Sequence, residues 1–296
     1  CAKVICNIVN SNLTEGQKIV AHFHEWTTGM GLLYCKHNAP GISTVFTTHA
    51  TSIGRSICGN DRPLYEFMSG YNPDQMAREL NMVSKHSLEK TAAKEASCFT
   101  TVSEITAREC RYLLGKQPDI VTPNGFEDKF IKKGSAAGKL RKESRRLIGD
   151  VAKAVFGHEI ENDAVFVGIG GRYEFRNKGI DVFVDALQQL KNQKALNKEV
   201  IGIMMIPADV SAPRTEVTQR MVNIDEAASG PIYMPFLTHW LNNIEYDKIM
   251  NMLKHRGFTN MNDEKVKILF VPCYLDGRDG VFNKTYYDLL YGMDLT

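Results

Sequence analysis

"ENDAVFVGIGGRYEFRNKGIDVFVDALQQL", residues 161–190, is the stretch whose reading decides the fold. A polar turn runs into an apolar, Val/Ile/Phe-rich segment, read as a strand over 163–170. Ile180, Phe183, Leu187 and Leu190 then recur at helical spacing, which predicts a helix over 179–192. A strand feeding directly into a helix is the repeating unit of parallel α/β proteins. Between the two, Arg172, Arg176 and Lys178 crowd among glycines, with Glu174 beside them. Cations at the carboxyl end of a buried strand raise the question of which anion they would hold.

The same alternation extends in both directions. Upstream, "KIVAHFHE" (18–25), "STVFTTH" (43–49), "SCFTTVS" (97–103) and "DIVTPNG" (119–125) are short β-branched or aromatic runs. Helical stretches separate them over 27–37, 73–95 and 104–114, and Ser103 stands where an N-cap belongs. Cys1 itself stands inside what reads as a helix. Downstream come a helix over 139–156, strands over 200–208 and 266–273, and a helix near 244–255. The segment 126–138, rich in Gly, Ser and charge, is the expected linker between two Rossmann-like halves with parallel sheets.

Composition narrows the class. At 296 residues the chain is long enough for two domains or one large one. The hydrophobic fraction of 43% and formal charge of +2 are ordinary for a globular protein and give no global drive toward nucleic acid. The sequence has no apolar run of membrane-spanning length and no basic-then-apolar leader, so no membrane partner is expected. Seven scattered cysteines, an odd number with no C-x-x-C spacing, read as reduced thiols and point to the cytoplasm.

In open α/β sheets, ligands bind at the carboxyl ends of strands. Four strand ends carry polar residues: "HFHEW", "FTTHATSIGR", "VTPNG" and "GGRYEFRNKG". His22 and His24, two apart on one side of a strand, could form half of a metal site. No second ordered cluster follows them, so a polar strand end tied into its own sheet is the preferred reading, and no metal is expected. "DGRDG" (276–280) lacks the spacing and closing Glu of a calcium loop and reads as a turn. Residues 132–146 carry seven cations against Glu143. With no aromatic interleaved, they read as a solvated helix face rather than a polyanion surface.

Arg172 and Lys178 suit a diphosphate. A guanidinium fork gives bidentate contacts, an ammonium adds a point charge, and the following helix N-terminus adds positive potential. Residues 168–175 hold two glycines of G-x-G-x-x-G without the third, so a nicotinamide cofactor is not expected. Cationic side chains, in place of bare backbone, favour neutralising charge that develops on a leaving group.

"VAHFHEW", "TVFTTHATSIGR", "FTTVSEIT", "DIVTPNGF" and "GRYEFRNKGIDVFVDAL" stand in the order and at roughly the spacing found in the eukaryotic-type glycogen synthase family, and the chain resembles its shorter, bacterial branch. The resemblance implies a GT-B fold, with two Rossmann-like domains facing across a cleft. Residues 1–130 would be the C-terminal part of the first domain, and residues 131–296 the N-terminal part of the second, donor-nucleotide-binding one. It implies retaining transfer of glucose from UDP-glucose to the non-reducing end of an α-1,4-glucan, without a cofactor. Arg172 and Lys178 would grip the donor diphosphate, with Arg55 assisting. His49 would sit by the donor glucose, making His49, Arg172 and Lys178 the catalytic set, and Asn124 would lie near the cleft. The bland alternatives are a turn-forming Asn124 and an Arg55 paired with a local carboxylate.

The family's pattern runs on past "YDLLYGMDL" into a Tyr-Glu-Pro-Trp-Gly stretch with a pair of glutamates, and it starts ahead of Cys1 with a glycine-rich loop. The expectation is therefore a central fragment, inactive in isolation and prone to self-association as a homo-oligomer through exposed strand edges. A GT-B enzyme using ADP-glucose or a sucrose-type donor, and a non-catalytic glucan- or nucleotide-binding module, are the alternatives.

Overall fold

The computed structural model of the chain describes residues 1–12, 17–227 and 229–296. They divide into two compact units, residues 1–126 and 127–296. In the first, helix α1 (Ala2–Asn12) precedes strand β1 (Val20–His24), helix α2 (Glu25–Asn38) and strand β2 (Ser43–Thr48). Helices α3 (Ser52–Gly59), α4 (Leu64–Phe67), α5 (Pro73–Glu79) and α6 (Val83–Glu95) follow. Strand β3 (Cys98–Thr101), helix α7 (Glu104–Glu109) and the two-residue strand β4 (Ile120–Val121) complete the unit. The sheet runs β1-β2-β3-β4, all parallel, as the alternating order predicts. Phe46 of β2 and Phe99 of β3 stack in its core at 5.9 Å between ring centroids.

The helix read over 73–95 is two helices. Asn72 caps α5 by accepting from the Gln75 backbone N–H, and Pro73 fits the first turn because it has no N–H to satisfy. Asn81, at φ 55°, turns the chain out of α5 before Val83 starts α6. Ser103 caps α7 through the Thr106 N–H at 3.1 Å. A π-helical turn over 110–114 extends α7 until Gly115 ends it in the left-handed region.

In the second unit, helix α8 (Gly134–Phe156) leads to strand β5 (Val165–Gly170), helix α9 (Ile180–Lys191) and strand β6 (Val200–Met205). Strand β7 (Val210–Pro213), helix α10 (Thr215–Val222), strand β8 (His239–Leu241) and helix α11 (Lys248–His255) intervene before strand β9 (Val266–Val271) and helix α12 (Tyr286–Leu290). The parallel sheet is ordered β5-β6-β9, and β7 pairs antiparallel with β8. Strands β6 and β9 are buried at every position, which is why they read as near-continuous apolar runs. Ile201, Ile203 and Met205 join one core cluster, while Val200 and Met204 join the other, the period of two expected of a strand covered on both faces. Gly202 leaves room for α9, since a Cβ there would lie 2.3 Å from Leu187 Cδ1.

Helix α8 starts at Gly134, inside the expected linker, so the coil between units is shorter than 126–138. Its basic run is only partly a solvated face. Lys139 and Arg146 pair with Glu143 and Asp150 one turn on, while Arg141 and Arg145 both bind the Asp294 carboxylate at 2.8 Å. Arg145 also lies over the Phe166 ring, 4.6 Å from its centroid. Among the described residues no helix is long and apolar enough to cross a membrane.

Candidate functional site

Strand β5 ends at Gly170, and residues 171–179 carry the chain to α9. Two turns fold this connection back on itself: Lys178 N–H donates to Glu174 O at 2.9 Å, and Ile180 N–H to Phe175 O at 3.1 Å. Gly179, at φ 64°, makes the last left-handed step into α9, which a side chain would strain. The fold lays the Lys178 stem near Gly171, where a Cβ would be 3.8 Å from Lys178 Cδ. Arg172 and Lys178 thus both stand in the connection that follows one strand end, and both are exposed. Arg172 Nη2 lies 3.0 Å from Glu174 Oε1. Arg176 is committed to α9 through Asp181, at 2.5 Å. Lys178 has no ion pair among the described residues.

Beside Arg172 a cavity of about 360 Å³ opens at the carboxyl ends of β5, β6 and β9. Gly170, Arg172, Met205, Cys273, Tyr274 and Tyr286 are among its walls. A Cβ on Gly170 would lie 2.5 Å from Tyr286 Cε2, so only glycine lets that ring close against the strand end. Burial, with Asp279 and Asp276 nearby, pushes the Cys273 thiol up to about 12, which leaves it neutral and a poor nucleophile. A mainly apolar cavity with aromatic walls and a cation at its edge suits a flat, partly apolar group joined to phosphate. Tyr274 and Tyr286 escaped the sequence reading, because the periodic strand over 266–273 and the turn at 276–280 leave both outside any recognised element. Only the strand-end rule, applied to β9, would have pointed to Tyr274.

The first unit arranges its own strand ends. His22 Nε2 lies 2.7 Å from Thr47 Oγ1, which in turn contacts Thr100 Oγ1 at 2.6 Å. His24 Nδ1 lies 3.1 Å from His49 Nε2, and the rings of His22 and His24 are 4.1 Å apart. Burial, then the neighbouring His24 and His49, pull the His22 pKa below its ordinary value. Glu25, held at φ 63°, accepts the His49 backbone N–H at 2.9 Å. Two buried carboxylates that the sequence reading missed hold the rest of this loop. Glu89 of α6 accepts from Thr48 Oγ1 (2.5 Å), Ser52 N (2.8 Å) and Ser52 Oγ (2.6 Å). Glu109 of α7 accepts from Thr51 Oγ1 (2.6 Å) and Tyr65 OH (2.8 Å). Arg55 follows on the first turn of α3, exposed, its N–H bonded to Thr51 O at 3.0 Å. His49 and Arg55 therefore share one anchored loop-and-helix element. Asn124 is exposed in the coil after β4, two strands along from β2.

Among the described residues, His239, Cys273 and Asp279 bring ligand atoms within 4.8 Å of one another. Two of the three are already engaged. His239 contacts Thr238 Oγ1 at 2.9 Å and the Asp279 backbone carbonyl at 2.8 Å. The Asp279 carboxylate accepts three backbone N–H groups, from Val281, Phe282 and Asn283. These bonds fold the loop around "DGRDG", in line with its reading as a turn. In "HFHEW", His22 and His24 are likewise engaged by Thr47 and His49.

Two parallel α/β units whose strand ends carry these motifs are consistent with a fragment of the GT-B glycosyltransferase fold. The glycogen synthase family model matches residues 2–222, about three-quarters of the sequence, and the chain belongs to the glycogen synthase family. It is 28% identical over 335 residues to the liver glycogen [starch] synthase of Homo sapiens, covering 95% of this chain and 47% of that protein. The Neurospora crassa glycogen [starch] synthase is 28% identical over 333 residues, covering 94% and 47%. Isoform 1 of Saccharomyces cerevisiae is 26% identical over 348 residues, covering 96% and 49%. The chain thus spans about half the length of these relatives.

Proposed function

We propose that this chain supplies donor-binding and catalytic residues of a glycogen synthase, a retaining enzyme that moves glucose from UDP-glucose to the non-reducing end of an α-1,4-glucan. The observation that carries this reading is the placement of Arg172 and Lys178 in the short connection after β5, with Arg172 lining an aromatic-walled cavity. The cavity takes the nucleoside and the two cations take the diphosphate. As the glycosidic bond to the diphosphate breaks through an oxocarbenium-like state, negative charge grows on the leaving oxygen. A guanidinium fork and an ammonium already in place stabilise that charge most where it is largest. The leaving oxygen accepts the proton of the attacking glucan hydroxyl, so neither a protein base nor a metal takes part. His49 serves the donor glucose, Arg55 the diphosphate, and Asn124 the donor side. The setting is the cytoplasm, consistent with seven free cysteines.

Donor competition tests the reading. UDP-glucose, ADP-glucose and sucrose are offered to the purified chain, with binding followed by saturation-transfer NMR. UDP-glucose should bind best, with signals that weaken in Arg172→Ala. Equal binding of all three, or binding indifferent to Arg172, would contradict it.

A further inference from the structure

The loop Thr48–Ser52 is tied by carboxylates at four of its five residues: Thr48 and Ser52 to Glu89, His49 to Glu25, Thr51 to Glu109. Three different helices supply these groups, α2, α6 and α7. Glu89 is 0% exposed and Glu109 6%, and neither forms an ion pair among the described residues. Burial raises the Glu89 pKa while bonds from Ser52 and Thr48 oppose the rise. Burying a carboxylate without a cation is costly, and an apolar side chain of similar volume would stabilise the unit with less conflict.

Two further features show how tightly this loop is determined. Glu25 holds a positive φ that a non-glycine residue keeps only where its surroundings enforce it. Gly54 has no room for a side chain, since a Cβ would lie 2.4 Å from Thr51 Oγ1 and 2.9 Å from Glu109 Oε2. Strain and buried carboxylates converge on the stretch that carries His49 and leads to Arg55.

We propose that Glu89 is a positioning residue: through Thr48 and Ser52 it fixes the end of β2 and the start of α3, so that the His49 ring meets His24 and Arg55 is presented from a preset helix. The importance of that placement rests on the reading of His49 and Arg55 as donor-facing groups. The mechanism is geometric. A carboxylate is acceptor-only, and its two oxygens receive two hydroxyls and one backbone N–H that come from either side of His49. Glutamine keeps a carbonyl oxygen for the Ser52 N–H and turns its amide toward the Thr48 hydroxyl, which can rotate to accept. Alanine offers nothing to any of the three.

The test reads His49 directly and does not depend on activity. The full chain is labelled with ¹⁵N-histidine, and the ring nitrogens are observed by NMR at a single pH held constant across all variants. Because His24 Nδ1 and His49 Nε2 share a hydrogen bond at 3.1 Å, the two ring nitrogens should show a scalar coupling across that bond. Glu89→Ala should abolish this coupling, and Glu89→Gln should restore it. His86, on the same helix and bonded to Asp74 at 3.1 Å, reports whether α6 is intact. If Glu89→Ala does not fold, the double variant Thr48→Val/Ser52→Ala, which strips both hydroxyls from Glu89, should lose the coupling in its place. Unchanged coupling in a folded Glu89→Ala or in the double variant would overturn the proposal. UDP binding that depends on Arg172 is measured separately, so failure of the functional reading is distinguishable from failure of this one.

Discussion

Arg172 Nη2 stands 3.0 Å from Glu174 Oε1, with the guanidinium side chain 64% exposed and the carboxylate side chain 22% exposed. An ion pair this open contributes at most about 1 kcal/mol, so it aims the guanidinium without holding it against a stronger partner. A diphosphate offers bidentate, charge-assisted bonds of greater strength. Glu174 is therefore both guide and competitor.

Glu174→Gln should bind UDP more tightly than the parent chain. Removing a competing carboxylate of this exposure is expected to raise affinity about two- to fivefold at low salt. The gain should shrink as ionic strength rises. Calorimetric titration at two salt concentrations checks it.

A second relationship fixes the stability of the second unit. Lys267 Nζ lies 2.8 Å from Glu199 Oε1, and the two side chains are 2% and 3% exposed. Burial works against the Glu199 charge, but His158 at 3.9 Å and Lys267 outweigh it and hold the carboxyl down at about 2. Lys267→Met strands that charge and should destabilise the unit by about 3–5 kcal/mol, whereas Lys267→Met/Glu199→Leu should be near neutral. Since the folded pKa is depressed, the pair's contribution is full above pH 4.5 and fades as pH falls toward about 2. Urea unfolding of the parent and both variants, repeated across that range, checks size and sign.

The first unit responds to a different pH range. His22 has its pKa lowered, chiefly by burial and then by His24 and His49. The unfolded chain therefore takes up a proton near pH 6.5 that the folded unit resists. Folding is favoured by neutral His22, and that advantage is lost as pH drops through 6.5 toward the lower folded value. Thermal melts of the parent and of His22→Gln should diverge in that window, with the parent losing relative stability as the solution is acidified. Parallel curves would contradict the His22 assignment.

Much of the scaffold was legible because strands and helices leave periodic apolar patterns, as in 163–192. Ser103 was legible because a cap is local. The break between α5 and α6 was not, since it turns on the left-handed conformation of Asn81 in a stretch that is otherwise good helix. Glu89 and Glu109 were invisible for another reason. A glutamate in a helix ordinarily faces water, and nothing local marks one that faces Thr48, Thr51 and Ser52 across some 40–60 residues of sequence. The cavity at Arg172 joins residues from β5, β6, the β9 end and α12, so its walls exist only once the sheet is built. Arg172 and Lys178 could be singled out because seven consecutive residues, 172–178, hold all their chemistry.

The central claim is that the β5 strand end grips a nucleoside diphosphate through Arg172 and Lys178 without a metal. Its most direct test is calorimetric binding of UDP, UMP and uridine to the purified chain, in parent, Arg172→Ala and Lys178→Ala forms, with and without a strong chelator. UDP should bind tightest and uridine weakest, because the affinity lies in the phosphates. Each substitution should weaken UDP at least about tenfold, the equivalent of 1.4 kcal/mol, while leaving uridine nearly unchanged, and the chelator should have no effect. Equal affinity for UDP and uridine, UDP binding unaltered by either substitution, or binding abolished by the chelator would contradict the account.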